Sequence, residues 1–215
     1  MTADISVELL EVYNEKVRDL LAPNSGPNGL EVSLKVTSKE VVGNVVLPVQ
    51  DQAEVAKILT NAQKRRCVKA TASNPVSSRS HLLFTIHFAV KSKNGISRVG
   101  KLHICDLAGS ERLNKSNANE YVGGTLLAET KHINLSLTVL SNVIEKLQAG
   151  EKNIPYRESK LTQLLQNSLG GNSKTLAIVC CNPLSSHFHE NLCSLRFAEK
   201  VNKVDLKAVA NFNNP

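Results

Sequence analysis

Lys101–Glu111 reads KLHICDLAGSE, and the reading of this stretch decides the fold. Leu102 and Ile104, with Val99 leading in, form an apolar run expected to be a buried strand. The run ends on Asp106, a carboxylate that is costly to bury unless a cation meets it. Gly109 then frees the backbone, and Glu111 adds a second negative charge. A strand that delivers an acid and a flexible glycine to its C-terminal edge is one way to sense the last phosphate of a Mg-bound nucleotide. Taken alone, a strand closing in an ordinary polar turn explains the same residues.

A second stretch, Asn74–His81, changes the balance. NPVSSRSH places the hydroxyls of Ser77, Ser78 and Ser80, an amide, a guanidinium and an imidazole together, and LLFTIHFAV follows as a strand. Ser hydroxyls suit the inner shell of Mg²⁺ and can position a water. Arg79 is the natural counter-ion for Glu111.

Composition narrows the classes. At 215 residues, with 41% hydrophobic and 21% charged content, the chain can bury a core, and one domain is the default. The net charge of +7 favours an anionic partner. A nucleic-acid module lacks a groove-reading motif and stacking aromatics, with 4% aromatic content and no Trp. No apolar run is long enough to span a membrane and the N-terminus has no signal-like core, so no membrane partner is expected and the expected address is cytosolic or nuclear. The five cysteines show no metal-ligand spacing, and Cys105 and Cys180 are expected to be buried thiols. His187 and His189 before Glu190 read as an exposed polar turn rather than a metal pair.

Along the chain, Ile5–Tyr13 is a strand, and Asn14–Leu21 changes to helical spacing with Asn14 as cap. Short β runs are expected at Glu31–Val36 and Val41–Val46. The D-x-x-E of Asp51 and Glu54 opens a helix that ends in Lys64, Arg65 and Arg66, cations expected to serve the helix dipole and solvent. Leu82–Val90 and Val99–Cys105 form a hairpin with its turn at Asn94-Gly95. A helix over Glu129–Ala149 turns Ile133, Leu137, Leu140, Val143, Ile144 and Leu147 inward and stops at Gly150. Leu161–Leu169 is a further helix, Leu176–Cys181 a strand, and Glu190–Val201 the last helix. GGNSKT lacks the glycine before its lysine that a phosphate loop requires.

The two polar stretches match the switch I pattern N-x-x-S-S-R-S-H and the switch II pattern D-L-A-G-S-E of the kinesin superfamily motor domain. HINLSLTVLSNVIEKL (132–147) and IPYRESKLTQLLQNSLGGNSKT (154–175) resemble its helix after switch II and its microtubule-facing segment. The likeness runs from Ile5 to about Val204. It implies an α/β fold of the three-layer P-loop NTPase kind, a central mixed sheet flanked by helices, incomplete at the N-terminus. Residues 1–204 would be a partial motor domain, with switch I at 74–81, switch II at 106–111 and a microtubule-facing part at 129–170, followed by a tail at 205–215.

Carried over by position, Ser77 would hold the lytic water, Ser78 would join the Mg²⁺ shell, and Asp106 would reach the metal through a water. Asn74 would line the nucleotide, Gly109 would offer its N–H to the γ-phosphate of ATP, and Arg79 would pair with Glu111 to latch the switches. Lys131, Tyr156, Arg157 and Lys160 would meet the microtubule, with Lys146 and Lys152 nearby. The loop after switch II is longer than the common pattern. Leu126, Ala128 and Leu135 stand where basic residues are frequent, and Gln163 replaces a usual arginine, so weaker steering toward tubulin is expected.

The family places its phosphate loop before the strand at Ile5, so these residues alone are expected neither to bind ATP and Mg tightly nor to hydrolyse ATP. The complete motor would be a microtubule-stimulated ATPase of the cytoplasm and its cytoskeleton, on microtubules and at the spindle or centrosome, homodimeric or heterodimeric through other segments. A chain that stops 11 residues after Val204 without heptads suits a C-terminal, minus-end-directed motor. The competing reading is a non-hydrolysing, microtubule-binding or motor-partner module.

Overall fold

Strand β1 (Thr2–Tyr13) runs through the middle of an antiparallel sheet, and three of its other four strands pair with it directly. On one side it pairs with β2 (Lys16–Asp19) and with β5 (Leu47–Val49), on the other with β6 (His81–Lys91). β6 in turn pairs with β7 (Ser97–Asp106), giving the order β2-β1-β6-β7. β3 (Lys35–Val36) and β4 (Val41–Val42) form a separate two-stranded sheet. The computed structural model describes residues 2–23, 34–37, 41–67, 79–92, 97–109 and 124–206, without the side chains of 67, 97 and 124–134. The described chain forms two compact units, Met1–Ala108 and Gly109–Val209.

In the first unit, strand alternation sends Val7 and Leu9 of β1 and Phe84 of β6 to one face. There they meet helix α1 (Gln52–Cys67) through Ala62, with Val55, Ile58 and Leu59 packed alongside. Val7 and Leu9 are fully buried, each contributing roughly 1.5–3 kcal/mol. The start of α1 follows the sequence reading: Asp51 Oδ1 accepts from the Glu54 N–H at 2.8 Å and Glu54 Oε2 from the Gln50 N–H at 2.8 Å.

The expected helix at Asn14–Leu21 is a strand instead. Asn14 and Glu15 have φ of 52° and 55°, so the chain reverses in a two-residue turn and Tyr13 pairs with Lys16. Asp19, read as part of a helix, pins the following loop by accepting from the backbone N–H of Leu21 at 2.7 Å and of Val45 at 2.6 Å. The β run expected at Val41–Val46 shortens to two residues, and Leu47–Val49 supplies a strand the sequence reading missed. The turn at Asn94-Gly95 lies outside the described residues.

In the second unit, α2 (Gly124–Gln148) starts earlier than expected and stops where expected, at Gly150 with φ +68°. It buries Val139, Leu140, Val143 and Ile144, while Leu137 and Leu147 are half-buried, and it packs against α3 (Lys160–Leu164) and α5 (Phe188–Asn202). The single helix expected over Leu161–Leu169 is broken at Leu165 (φ −86°, ψ 1°), which separates α3 from α4 (Gln166–Gly170). Leu176–Cys181 forms no ladder among the described residues, and Leu176 and Ile178 are more than four-fifths exposed. An apolar run facing both ways is the pattern of a strand flanked on each side, and no flanking strand accompanies it among the described residues.

Cys180 is exposed, not buried, because the strand expected to enclose it has no partner. Cys105 is half-buried, and burial followed by the neighbouring Asp106 pushes its thiol up to about 12, so it stays protonated. His187 bonds Glu190 at 2.9 Å in an exposed turn. No metal-binding cluster occurs among the described residues, and none of the helices is long and apolar enough to cross a membrane.

Candidate functional site

Register brings the described ends of the two polar stretches, Ser80–His81 and Asp106–Ala108, to one end of the sheet. Glu11 of β1 stands opposite Leu82 of β6, and Leu82 opposite Asp106 of β7, so the two carboxylates lie in one row on one face. Arg66, in the last turn of α1, fills the space between them and is 6% exposed. Its Nη1 donates to Asp106 Oδ2 at 3.2 Å, its Nε to Ser80 Oγ at 3.1 Å and its Nη2 to the Ser80 carbonyl at 2.8 Å. The same Nε lies 3.7 Å from Glu11 Oε1, an ion pair without a hydrogen bond. Glu11, 2% exposed, also meets Arg18 Nη1 through Oε2 at 3.4 Å.

The cation that answers the strand-end acid is therefore Arg66. Sequence reading assigned Arg65 and Arg66 to the helix dipole and solvent, and both have specific partners: Arg65 donates to the carbonyls of Leu20 and Ala22 at 2.7 and 3.0 Å. A signal was present. Val55, Leu59, Ala62 and Arg66 recur at three and four residues, so Arg66 continues the stripe that α1 turns inward.

His81 completes the join. Its Nδ1 accepts from the Ala108 N–H at 3.0 Å, tying the first residue of β6 to the backbone just before Gly109. An accepting Nδ1 requires the ring proton on Nε2. Burial, and then the positive charge of Arg66, lower its pKa to about 4 against the opposing pull of Asp106, so the imidazole is neutral near pH 7. The end of the Asn74–His81 stretch and the start of the Asp106–Glu111 stretch are thus fastened by one neutral ring and one guanidinium. Asp106 keeps a side chain 66% exposed, and its hard oxygens suit a hydrated divalent cation.

Of the other expected nucleotide-site residues, Arg79 and Gly109 are among the described residues. Asn74, Ser77, Ser78 and Glu111 fall outside the described residues, and with them the Arg79–Glu111 pair.

The expected microtubule-facing residues lie in the second unit. Tyr156–Glu158 is a single 3-10 turn, and Ser159 caps α3 by accepting from the Leu161 N–H at 3.1 Å. Thr162, fully buried, donates to the Tyr156 carbonyl at 2.8 Å and holds the turn against the helix. The Tyr156 hydroxyl rests on Gly170, where a Cβ would meet it at 1.8 Å, and burial raises its pKa. Arg157 is exposed, and half-buried Lys160 reaches Gln163 Oε1 at 3.4 Å. Lys152 is exposed, whereas Lys146 is paired with Glu151 at 2.6 Å. Lys131 is on α2, its side chain outside the described set. Leu135, one of the departures from a basic pattern, is 46% exposed.

Three comparisons bear on this arrangement. The kinesin motor domain family model matches residues 1–204. The kinesin-like protein KIN-14H of Arabidopsis thaliana is 45% identical over 206 residues, which is 95% of this chain and 19% of that protein. Among solved structures, a dimeric KIF14 segment bound with AMP-PNP to a microtubule in its two-heads-bound state superposes with a TM-score of 0.85 at 33% identity. It shares 99% of this chain and 61% of its own. The C-terminal motor and motor homology domain of Kar3Vik1, fused to a synthetic heterodimeric coiled coil, gives a TM-score of 0.77 at 40% identity. There the shares are 94% and 52%. The chain spans about a fifth of the length of that curated relative and a little over half of those solved chains.

Proposed function

Because the chain belongs to the kinesin motor domain family and has its P-loop NTPase fold, we propose that it supplies the switch framework and the track-binding face of an ATP-driven, microtubule-based motor. The observation that carries this reading is the join at the sheet end. His81 and Arg66 hold the exit of one switch loop against the entry of the other, so a displacement at either loop is felt at both. Asp106 would hold Mg²⁺ through water, with Ser78, Asn74 and the Gly109 N–H facing the nucleotide. Ser77, Arg79 and Glu111 would act on the lytic water and the latch. Metal-bound ATP would supply the phosphoryl group, and these residues position it and stabilise charge.

The 215 residues contain no G-x-x-x-x-G-K-[ST] sequence, and backbone donors with a lysine around the β- and γ-phosphates account for most nucleotide affinity in such folds. The expected result with this chain alone is no saturable binding of a fluorescent ATP analogue in the micromolar range with Mg²⁺ present. Saturation there would overturn the division of labour proposed.

The track partner is the acidic microtubule surface, met by Arg157, Lys160, Tyr156 and Lys131, which places the protein on the cytoskeleton. Spindle or centrosome residence, minus-end direction and dimerisation belong to the same proposal, and the likeness to the C-terminal motor of Kar3Vik1 supports a C-terminal-motor reading. In cosedimentation, this chain should bind microtubules more weakly than a complete kinesin head at the same salt, with binding falling as salt rises. Lys160→Glu together with Arg157→Glu should weaken it further, by roughly tenfold. Binding indifferent to both salt and these substitutions would remove this face from the interface.

A further inference from the structure

The helix α4 closes on a glycine that its backbone does not call for. Gly170 lacks the positive φ of Gly43 and Gly150, and alanine is favoured over glycine inside a helix by about 1 kcal/mol. What the position demands is room. A Cβ built on Gly170 would meet the Tyr156 hydroxyl at 1.8 Å, Tyr156 Cζ at 3.0 Å and Leu147 Cδ2 at 3.4 Å. The tip of the Tyr156 ring thus occupies the slot left by the missing side chain, and Leu147, near the end of α2, is the next wall of that slot.

We propose that Gly170 is a positioning residue of the track-binding face. By admitting the Tyr156 hydroxyl it sets where the Tyr156–Glu158 turn stands, and so how Arg157 and Lys160 are presented to the acidic track. This role rests on the track-binding reading given above.

Both sides of the contact are fixed, so the slot acts as a gauge between them. On the α4 side, the Gly171 N–H and the Ser173 hydroxyl donate to the Asn167 carbonyl at 3.2 and 2.9 Å. A Cβ on Gly171 would meet that carbonyl oxygen at 2.5 Å, so the chain already lies tight against its own helix and has no space to yield. On the turn side, buried Thr162 donates to the carbonyls of Tyr156 and Ser159 at 2.8 and 3.1 Å, and the Tyr156 N–H donates to the Ile154 carbonyl at 2.9 Å.

A methyl group at Gly170 would force the hydroxyl back by about 1.5 Å to reach ordinary van der Waals contact. Carried to the Tyr156 carbonyl, a retreat of that size breaks the Thr162 bond. Arg157 follows Tyr156 within the same 3-10 turn, and Lys160 follows Ser159, the cap of α3, so both cations lose their placement together.

Gly170→Ala should weaken cosedimentation of the full chain with microtubules by roughly tenfold, with an unchanged far-ultraviolet circular dichroism spectrum. The hydroxyl is the atom in conflict. In a Tyr156→Phe background, where the nearest ring atom stands at 3.0 Å, the same glycine substitution should therefore cost less than about threefold. A merely destabilising substitution would cost the same in both backgrounds. A second readout needs no track: burial raises the Tyr156 phenol, and alkaline titration of Gly170→Ala by ultraviolet absorbance should show one of the three tyrosines returned toward its ordinary value. Equal binding by the parent and Gly170→Ala, equal losses in both backgrounds, or an unmoved phenol would each overturn this role. A parent chain that does not sediment with microtubules would instead overturn the track-binding reading on which the role rests.

Discussion

Arg66→Ala is expected to lower the unfolding free energy of the first unit by about 3 kcal/mol or more, among the largest effects of any single side chain outside the apolar core. The guanidinium serves two acids of unlike standing. Asp106 is two-thirds exposed, and its bond to Arg66 is worth at most about 1 kcal/mol. Glu11 is nearly inaccessible, and without Arg66 its remaining cationic partner among the described residues is Arg18. Its Oε1 already lacks a hydrogen-bond partner. The desolvated carboxylate, together with the Ser80 hydroxyl and carbonyl that lose their donors, dominates the cost. Arg66→Lys should recover part of it, since one ammonium cannot serve Ser80 and both acids from a single position. The double variant Glu11→Leu/Arg66→Met should regain much of the loss, because apolar replacement of a buried pair removes the stranded charge with its partner. Urea unfolding of the three variants reads these differences. A single-alanine loss below about 1 kcal/mol would mean that water or Arg18 replaces the clamp.

What could be read in the sequence depended on how local its cause is. The α2 stripe of Leu140, Val143 and Ile144 and the Asp51–Glu54 cap are set by residues within two turns of one another, and both are present. The β6–β7 hairpin was legible from two apolar runs on either side of Asn94-Gly95. At Asn14-Glu15 a pair of left-handed residues overrode helical spacing, and the sequence offers only the tolerance of asparagine for positive φ as a hint. Leu176–Cys181 has the composition of a central strand, but pairing is a property of neighbours and no window along the chain contains them. The site divides in the same way. That Asp106 needed a cation followed from one carboxylate at the end of an apolar run. That the cation was Arg66, 40 positions earlier, required the angle at which α1 crosses the sheet.

Acidification should destabilise the protein over a window set by His81. The folded ring has its pKa lowered to about 4 from an ordinary 6.5, first by burial and then by Arg66. Above pH 6.5 the imidazole is neutral folded or unfolded and contributes no slope. Between pH 6.5 and about 4 the unfolded chain takes up a proton that the native ring refuses, so stability falls as pH falls. Below that window both states are protonated and the loss is complete, at roughly 3 kcal/mol. His103, also lowered chiefly by burial, adds a smaller slope of the same sign. Protonation also converts the Nδ1 acceptor into a donor facing the Ala108 N–H, so the fastening ahead of Gly109 fails along with stability. His81→Asn separates the two causes, because its amide oxygen can take the place of Nδ1 toward Ala108 without titrating. Its stability profile should be flatter than the parent's between pH 6.5 and 4, while carboxylate titration affects both proteins alike. Parallel profiles over that window would show that the imidazole is not the group that acid attacks.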